Sequence, residues 1–141
     1  MRNTYRSRDG LRKEYFETYF VVELPTDRLP ARWGIVTSYN RDGQITDEET
    51  NCRVDAKLKR FLESSHVRHF RVTGGSRDGR HREPGFGIVI ADLSEIDKLA
   101  RQFRQEAFFW IQEGDVYCVK VGDPKKHRVG PWSQRGLDKW L

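Results

Sequence analysis

Apolar and polar residues alternate over residues 15–24. Phe16, Phe20, Val22 and Leu24 fall on one side, Glu17, Tyr19 and Glu23 on the other, which is the period of a half-buried strand. Pro25 and Pro30 bracket a loop. Trp33-Gly34-Ile35-Val36-Thr37-Ser38-Tyr39 follows as a strand apolar on both faces, hence central, and the turn sequence Asn40-Arg41-Asp42-Gly43 stops it. The period then becomes helical. Thr46 with Glu49 reads as a capping box, and Val54, Leu58, Phe61 and Leu62 form a buried stripe that runs out near Ser64-Ser65. Phe70 and Val72 mark a short strand ended by Thr73-Gly74-Gly75. Residues 76–82 form a polar loop with an Asp78-Gly79 turn, and residues 86–91 return as a buried strand. Ser94 with Asp97 caps a second helix, with Ile96, Leu99, Ala100, Phe103 and Ala107 along one face. Residues 108–111 and 116–121 make a hairpin around Glu113-Gly114.

The predicted order is β-β-α-β-β-α-β-β. Its inner part, βαββαβ, is the split βαβ arrangement of ferredoxin-like folds, so the expected class is α+β, a mostly antiparallel sheet with two helices on one face. At 141 residues the chain fits one domain, and its 12% aromatic content can anchor one core. The net charge of +5 sits at the ends. Residues 1–13 and 120–141 each carry +4, and residues 14–119 carry −3. This divides the chain into a basic flexible arm (1–13), one α+β domain (14–122) and a basic, Gly/Pro-containing tail (123–141). Trp132, Leu137, Trp140 and Leu141 argue against full disorder in that tail. The charged N-terminus lacks an apolar stretch, the longest apolar runs are far too short to span a bilayer, and two cysteines are too few for a disulfide scaffold. Together they predict a cytoplasmic protein, with no membrane association.

Five segments carry a resemblance. They are Trp33 to Asn40 (WGIVTSYN), Glu49-Thr50-Asn51, Val72-Thr73-Gly74, Glu83-Pro84-Gly85-Phe86, and Leu99 to Trp110 (LARQFRQEAFFW). In this order they resemble the motifs of a bacterial family of unknown function, DUF3293, over roughly residues 15–121. Arg41 stands where family members often have Pro, Ser38 replaces Ala, and Gly85 replaces a Ser. The resemblance implies a fold and a set of motif positions, and no reaction.

The polar motif positions are Asn40, Asn51, Glu83 and Gln105. Asn51 lies three, seven and eleven residues before Val54, Leu58 and Leu62, so it shares the apolar stripe of its helix. Asn40 ends one strand, Glu83 begins another, and Gln105 falls in the last turn of the second helix. All four are expected to meet in one polar cluster at an end of the sheet, with Glu83 held ionised by amide donors. Such a cluster serves as a structural clamp or a ligand pocket; Glu83 is the one candidate acid/base, and no catalytic residue is assigned. Arg68, Arg71, Arg77, Arg80 and Arg82 form a basic cluster within the acidic middle, the place for phosphate or nucleic-acid contact. The spacing of His66, His69, Cys52 and Cys118 supports no metal site, and no cofactor is predicted.

Three functions are compatible with these features. The first is a non-catalytic module binding a small molecule or a protein through a polar pocket. The second is a nucleic-acid-associated protein using the arginine loop and basic tails, and the third a small enzyme with Glu83 as acid/base. Monomer and homodimer are both open.

Overall fold

The computed structural model describes residues 10–24, 28–90 and 92–141. Residues 1–9 of the predicted arm, Pro25 and Ala91 therefore lie outside the described residues. The elements are β1 (Tyr19–Val22), β2 (Arg32–Thr37), α1 (Glu48–Ser64), β3 (His69–Gly75), β4 (Arg82–Ile88), α2 (Leu93–Gln102), β5 (Ala107–Gln112), β6 (Asp115–Lys120), β7 (Lys126–Pro131), the single turn α3 (Trp132–Arg135) and β8 (Gly136–Leu137). The fold is mixed α+β. One eight-stranded sheet runs β7-β6-β5-β2-β4-β3-β1-β8, larger than the sequence predicts. Neighbouring strands are antiparallel except β1 and β8, which run parallel.

Strand alternation sorts the core into two layers. On one face Val36, Phe86, Ile88, Phe108, Trp110 and Val119 pack against Val54, Leu58 and Leu62 of α1 and Ile96, Leu99 and Ala100 of α2. Both predicted helical stripes are buried. Helix α2 seats over β2 because position 34 has no side chain: a Cβ at Gly34 would lie 2.9 Å from Ile96. On the opposite face Phe20, Trp33, Ile35, Phe70, Val72, Ile111 and Val116 form a second layer.

The structure departs from expectation at both ends. The strand predicted over 15–24 is shorter, because Lys13–Glu17 winds into a 3-10 turn before β1. Of the predicted arm, Leu11 is 1% exposed and packs with Ala107 and Cys118, since this face of the sheet needs an apolar cover. Residues 123–141 supply both outer strands, β7 and β8. Their anchor is Trp132, which stacks on Phe20 (centroids 5.8 Å apart) and meets Trp33 edge-on at 5.3 Å. The helix starts also shift. Asp47, not Thr46, caps α1 by accepting from the Thr50 N–H, and Asp92 caps α2 by accepting from the Ser94 N–H. Helix α2 ends at Gln102, so Gln105 lies in the connection to β5.

Candidate functional site

Three of the four predicted polar positions come together, and the turn after β2 is the reason. Asn40 adopts a left-handed backbone (φ 51°), a conformation Asn tolerates better than most side chains. Its N–H then points at α1 and donates to Asn51 Oδ1 at 3.0 Å. Asn51 Nδ2 donates to the Thr46 carbonyl at 3.0 Å and reaches Asn40 Oδ1 at 3.4 Å, while Thr46 N–H donates to that same oxygen at 3.0 Å. Asn51 is 4% exposed, on the apolar stripe as its helical phase predicts. Gln105 joins from the other side, donating through Nε2 to the Tyr39 carbonyl at 3.2 Å. The loop 40–46 is thereby fixed to α1 and to the α2–β5 connection. Arg12 adds a third strap, since its guanidinium donates to the Gly43 carbonyl at 2.8 Å and pairs with Glu106 at 2.8 Å. Asp42 and Arg104 pair beside it.

Glu83 does not join the amides. Its carboxylate meets His81 Nε2 at 3.0 Å, and this contact raises the His81 pKa above the ordinary histidine value. Alternation along β4 explains the separation. Phe86 and Ile88 face the helices, so Glu83, an odd number of residues away, faces the opposite side with Gly85. The expectation of an amide-held Glu83 is therefore corrected.

That opposite side carries a cavity of about 560 Å³. Its apolar lining comes from Phe20, Ile35, Ala107 and Phe109, with Gly74, Gly75 and Gly85 contributing bare backbone. The 3-10 turn contributes Glu14, Tyr15 and Glu17, and the strapped loop contributes Asn40, Gly43 and Ile45. Asn40, Glu83 and Gln105 all line this space, whereas Asn51 stands behind it and orders its rim. Two of the lining glycines answer to close packing: a Cβ at Gly85 would sit 2.6 Å from the Val36 carbonyl of the adjacent strand, and one at Gly74 would meet Thr18 and Phe20 at 3.4 and 3.5 Å. Ile45 is 93% exposed at the mouth. Tyr15 stacks edge-on with Phe109 at 6.1 Å; burial, reinforced by the negative charge of Glu106, pushes its phenol pKa up, so it is a proton donor in the cavity.

The lining carboxylates are Glu14, Glu17, Glu83 and Glu106, against Arg12 and His81. The lining hydroxyls are already engaged. Thr37 donates to the Pro84 carbonyl (2.7 Å), Thr18 to the Glu14 carbonyl (2.9 Å), and Ser76 to Asp78 (2.8 Å). Sequence reasoning did not single out Arg12, Tyr15, His81 or Glu106. Glu106 sits inside the LARQFRQEAFFW segment and His81 two residues before Glu83, while Arg12 and Tyr15 are brought in from the N-terminal segment.

The predicted arginine cluster divides. Arg71 points to the helix face, where it forms a two-pronged pair with Asp55 of α1 (2.8 and 2.9 Å) and lies 4.1 Å over the Phe86 ring. It is a packing residue, not an anion site. Arg68 is exposed at the opposite end of β3 from the loop. Arg77 and Arg80 lie in the β3–β4 loop and Arg82 begins β4. Cys118 is buried, which raises its thiol pKa, and Cys52 is exposed beside Glu48 and Tyr39. Among the described residues, no group of three or more His, Cys, Asp or Glu is placed to hold a metal, and no helix is long and apolar enough to cross a membrane.

Comparison with known proteins adds a family. No curated protein and no solved structure matches the chain. A family model does match, over residues 36–108, from β2 through α1, β3, β4 and α2 into β5. That segment holds the whole Asn40–Asn51–Gln105 clamp together with Glu83, and leaves out the N-terminal residues from Arg12 to Phe20 that complete the cavity. Because it covers more than half of the 141 residues, the chain belongs to the family described as protein of unknown function, DUF3293.

Proposed function

We propose that this protein is a non-catalytic binding module whose ligand is a small molecule with an apolar or aromatic body and a cationic head. The observation that carries the reading is the cavity of about 560 Å³ opposite the helices, within the size range of ligand sites. Its floor suits a flat apolar body. Its four carboxylates outnumber its cations: Arg12 pairs with Glu106, Lys13 with Glu17, and Glu83 meets only the titratable His81, so the lining charge is negative once His81 is neutral. Engagement of Thr18, Thr37 and Ser76 by backbone or Asp78 leaves no activated nucleophile among them, which favours binding over bond breaking. The strand order β5-β2-β4-β3 with α1 and α2 on one face supports reading the core as a ferredoxin-like split βαβ unit, widened at both edges. In that reading the added N-terminal segment walls the cavity.

The test compares matched probes by calorimetry on the whole protein: benzylamine, benzyl alcohol and benzoate. The amine should bind best and benzoate worst, and Glu83→Gln should weaken the amine about three- to tenfold while sparing the alcohol. Equal binding of amine and benzoate, or no binding of any probe at millimolar concentration, rejects the proposal.

A further inference from the structure

A second surface lies at the β1–β8 edge and is separate from the cavity floor. Two features that are far apart in sequence, the arginine loop and the chain's last residues, meet there. Leu141 N–H donates to the Arg77 carbonyl at 3.2 Å, and Gly79 is so close to Trp140 that a Cβ would sit 2.8 Å from it. Three arginines in this region are laid over rings. Arg77 and Arg135 share Tyr19, at 5.7 and 4.8 Å from its centroid, and Arg82 lies 5.4 Å from the Trp140 centroid while its Nε holds the Gly79 carbonyl at 2.7 Å. Among the described residues none of these three guanidinium groups is paired with a carboxylate. The loop's own Asp78 is bound by Ser76 and Arg80. Residues 75–82 and 132–141 together carry Arg77, Arg80, Arg82, Arg135 and Lys139 against Asp78 and Asp138.

Holding two guanidinium groups over one tyrosine ring costs like-charge repulsion, which an incoming anion relieves. Contact with a ring also restrains each guanidinium, so less side-chain freedom is lost when an anion binds its N–H donors. Cations interleaved with aromatic rings suit a flexible strand with accessible bases. Among the described residues no long helix or β-ribbon projects from this edge to enter a duplex groove, since α3 is a single turn.

We propose that this edge binds single-stranded nucleic acid, with Arg77, Arg82 and Arg135 contacting the phosphodiester backbone. Fluorescence anisotropy of the full chain with a labelled oligouridine strand of about 12 nucleotides tests it. The affinity should fall steeply with salt, and the triple variant Arg77→Gln/Arg82→Gln/Arg135→Gln should weaken it about tenfold or more while lowering the log–log salt slope by about 2. Lys57→Gln/Lys59→Gln/Arg60→Gln, which removes the same charge from the exposed side of α1, should leave most of the binding. Replacing the three arginines by lysine should restore only part of it. Zero-length photo-crosslinks from thiouridine in the wild-type chain should fall on the peptides containing Tyr19 or Trp140. Absence of binding at low salt, an equal loss in both triple variants, full restoration by lysine, or crosslinks elsewhere overturns the proposal.

Discussion

Replacing Asn51 by alanine isolates the device that orders the cavity rim. The side chain is 4% exposed and makes three contacts, at 3.0, 3.0 and 3.4 Å. Truncation leaves the Asn40 N–H and the Thr46 carbonyl without their partner. Each neutral hydrogen bond contributes about 0.5–1.5 kcal/mol net, and an orphaned buried group costs about 1–3 kcal/mol. Water can reach the loop side of the gap, which lowers the second figure, so the expected loss is ~2–3 kcal/mol. In a chain of this size that lowers the melting temperature by roughly 6–12 °C. Urea unfolding followed by tryptophan fluorescence reads the loss, with the m-value unchanged because the same surface is exposed. Asn51→Asp should be no milder: it keeps the acceptor for Asn40, loses the donor to Thr46, and buries a charge. A loss below about 0.5 kcal/mol for Asn51→Ala would mean that the amide does not hold the loop to α1.

Three further outcomes follow from the same geometry. Asp55→Ala strips the Arg71 guanidinium of its two-pronged partner where both side chains are less than a third exposed, and should cost ~1–2 kcal/mol in urea unfolding. The His81–Glu83 pair raises the histidine pKa, so its stabilisation is fully present below the ordinary value of 6.5 and is lost as pH rises through the raised value; an NMR titration of the His81 ring should show a downward shift of that pKa in Glu83→Gln. Iodoacetamide should label the native protein at Cys52 and spare Cys118, whose thiol is buried with its pKa pushed up, until denaturant exposes it.

How far the sequence disclosed this protein depends on the reach of each signal. The stripe Asn51, Val54, Leu58, Leu62 is local, and its phase alone placed a buried amide on α1. The hairpin at Glu113-Gly114 is equally local. Pairing of β8 with β1 joins Phe20 to Gly136 across almost the whole chain, and two residues of strand carry no periodic signature. Leu11 and Trp132 are single apolar residues in polar surroundings, so their burial is decided by the uncovered face they meet, which no neighbouring residue announces. The helix starts slipped because Thr46 and Asp47 both satisfy the preference for an oxygen-bearing cap. The position of Glu83 was legible: three residues from Phe86 on a strand means the opposite face, so it could not join an amide that faces the helices.

In the function proposed above, the sheet face opposite the helices takes a cationic, apolar ligand between the Glu14–Thr18 turn, Glu83 and the strapped loop. Backbone amide NMR during a benzylamine titration tests it most directly. Saturable shifts are expected at Thr18, Thr37, Gly74, Gly85 and Phe109 alone, with α1 and α2 residues such as Leu58 and Leu99 unmoved. Shifts centred on the helix face, or none in the cavity lining at saturating amine, would contradict it.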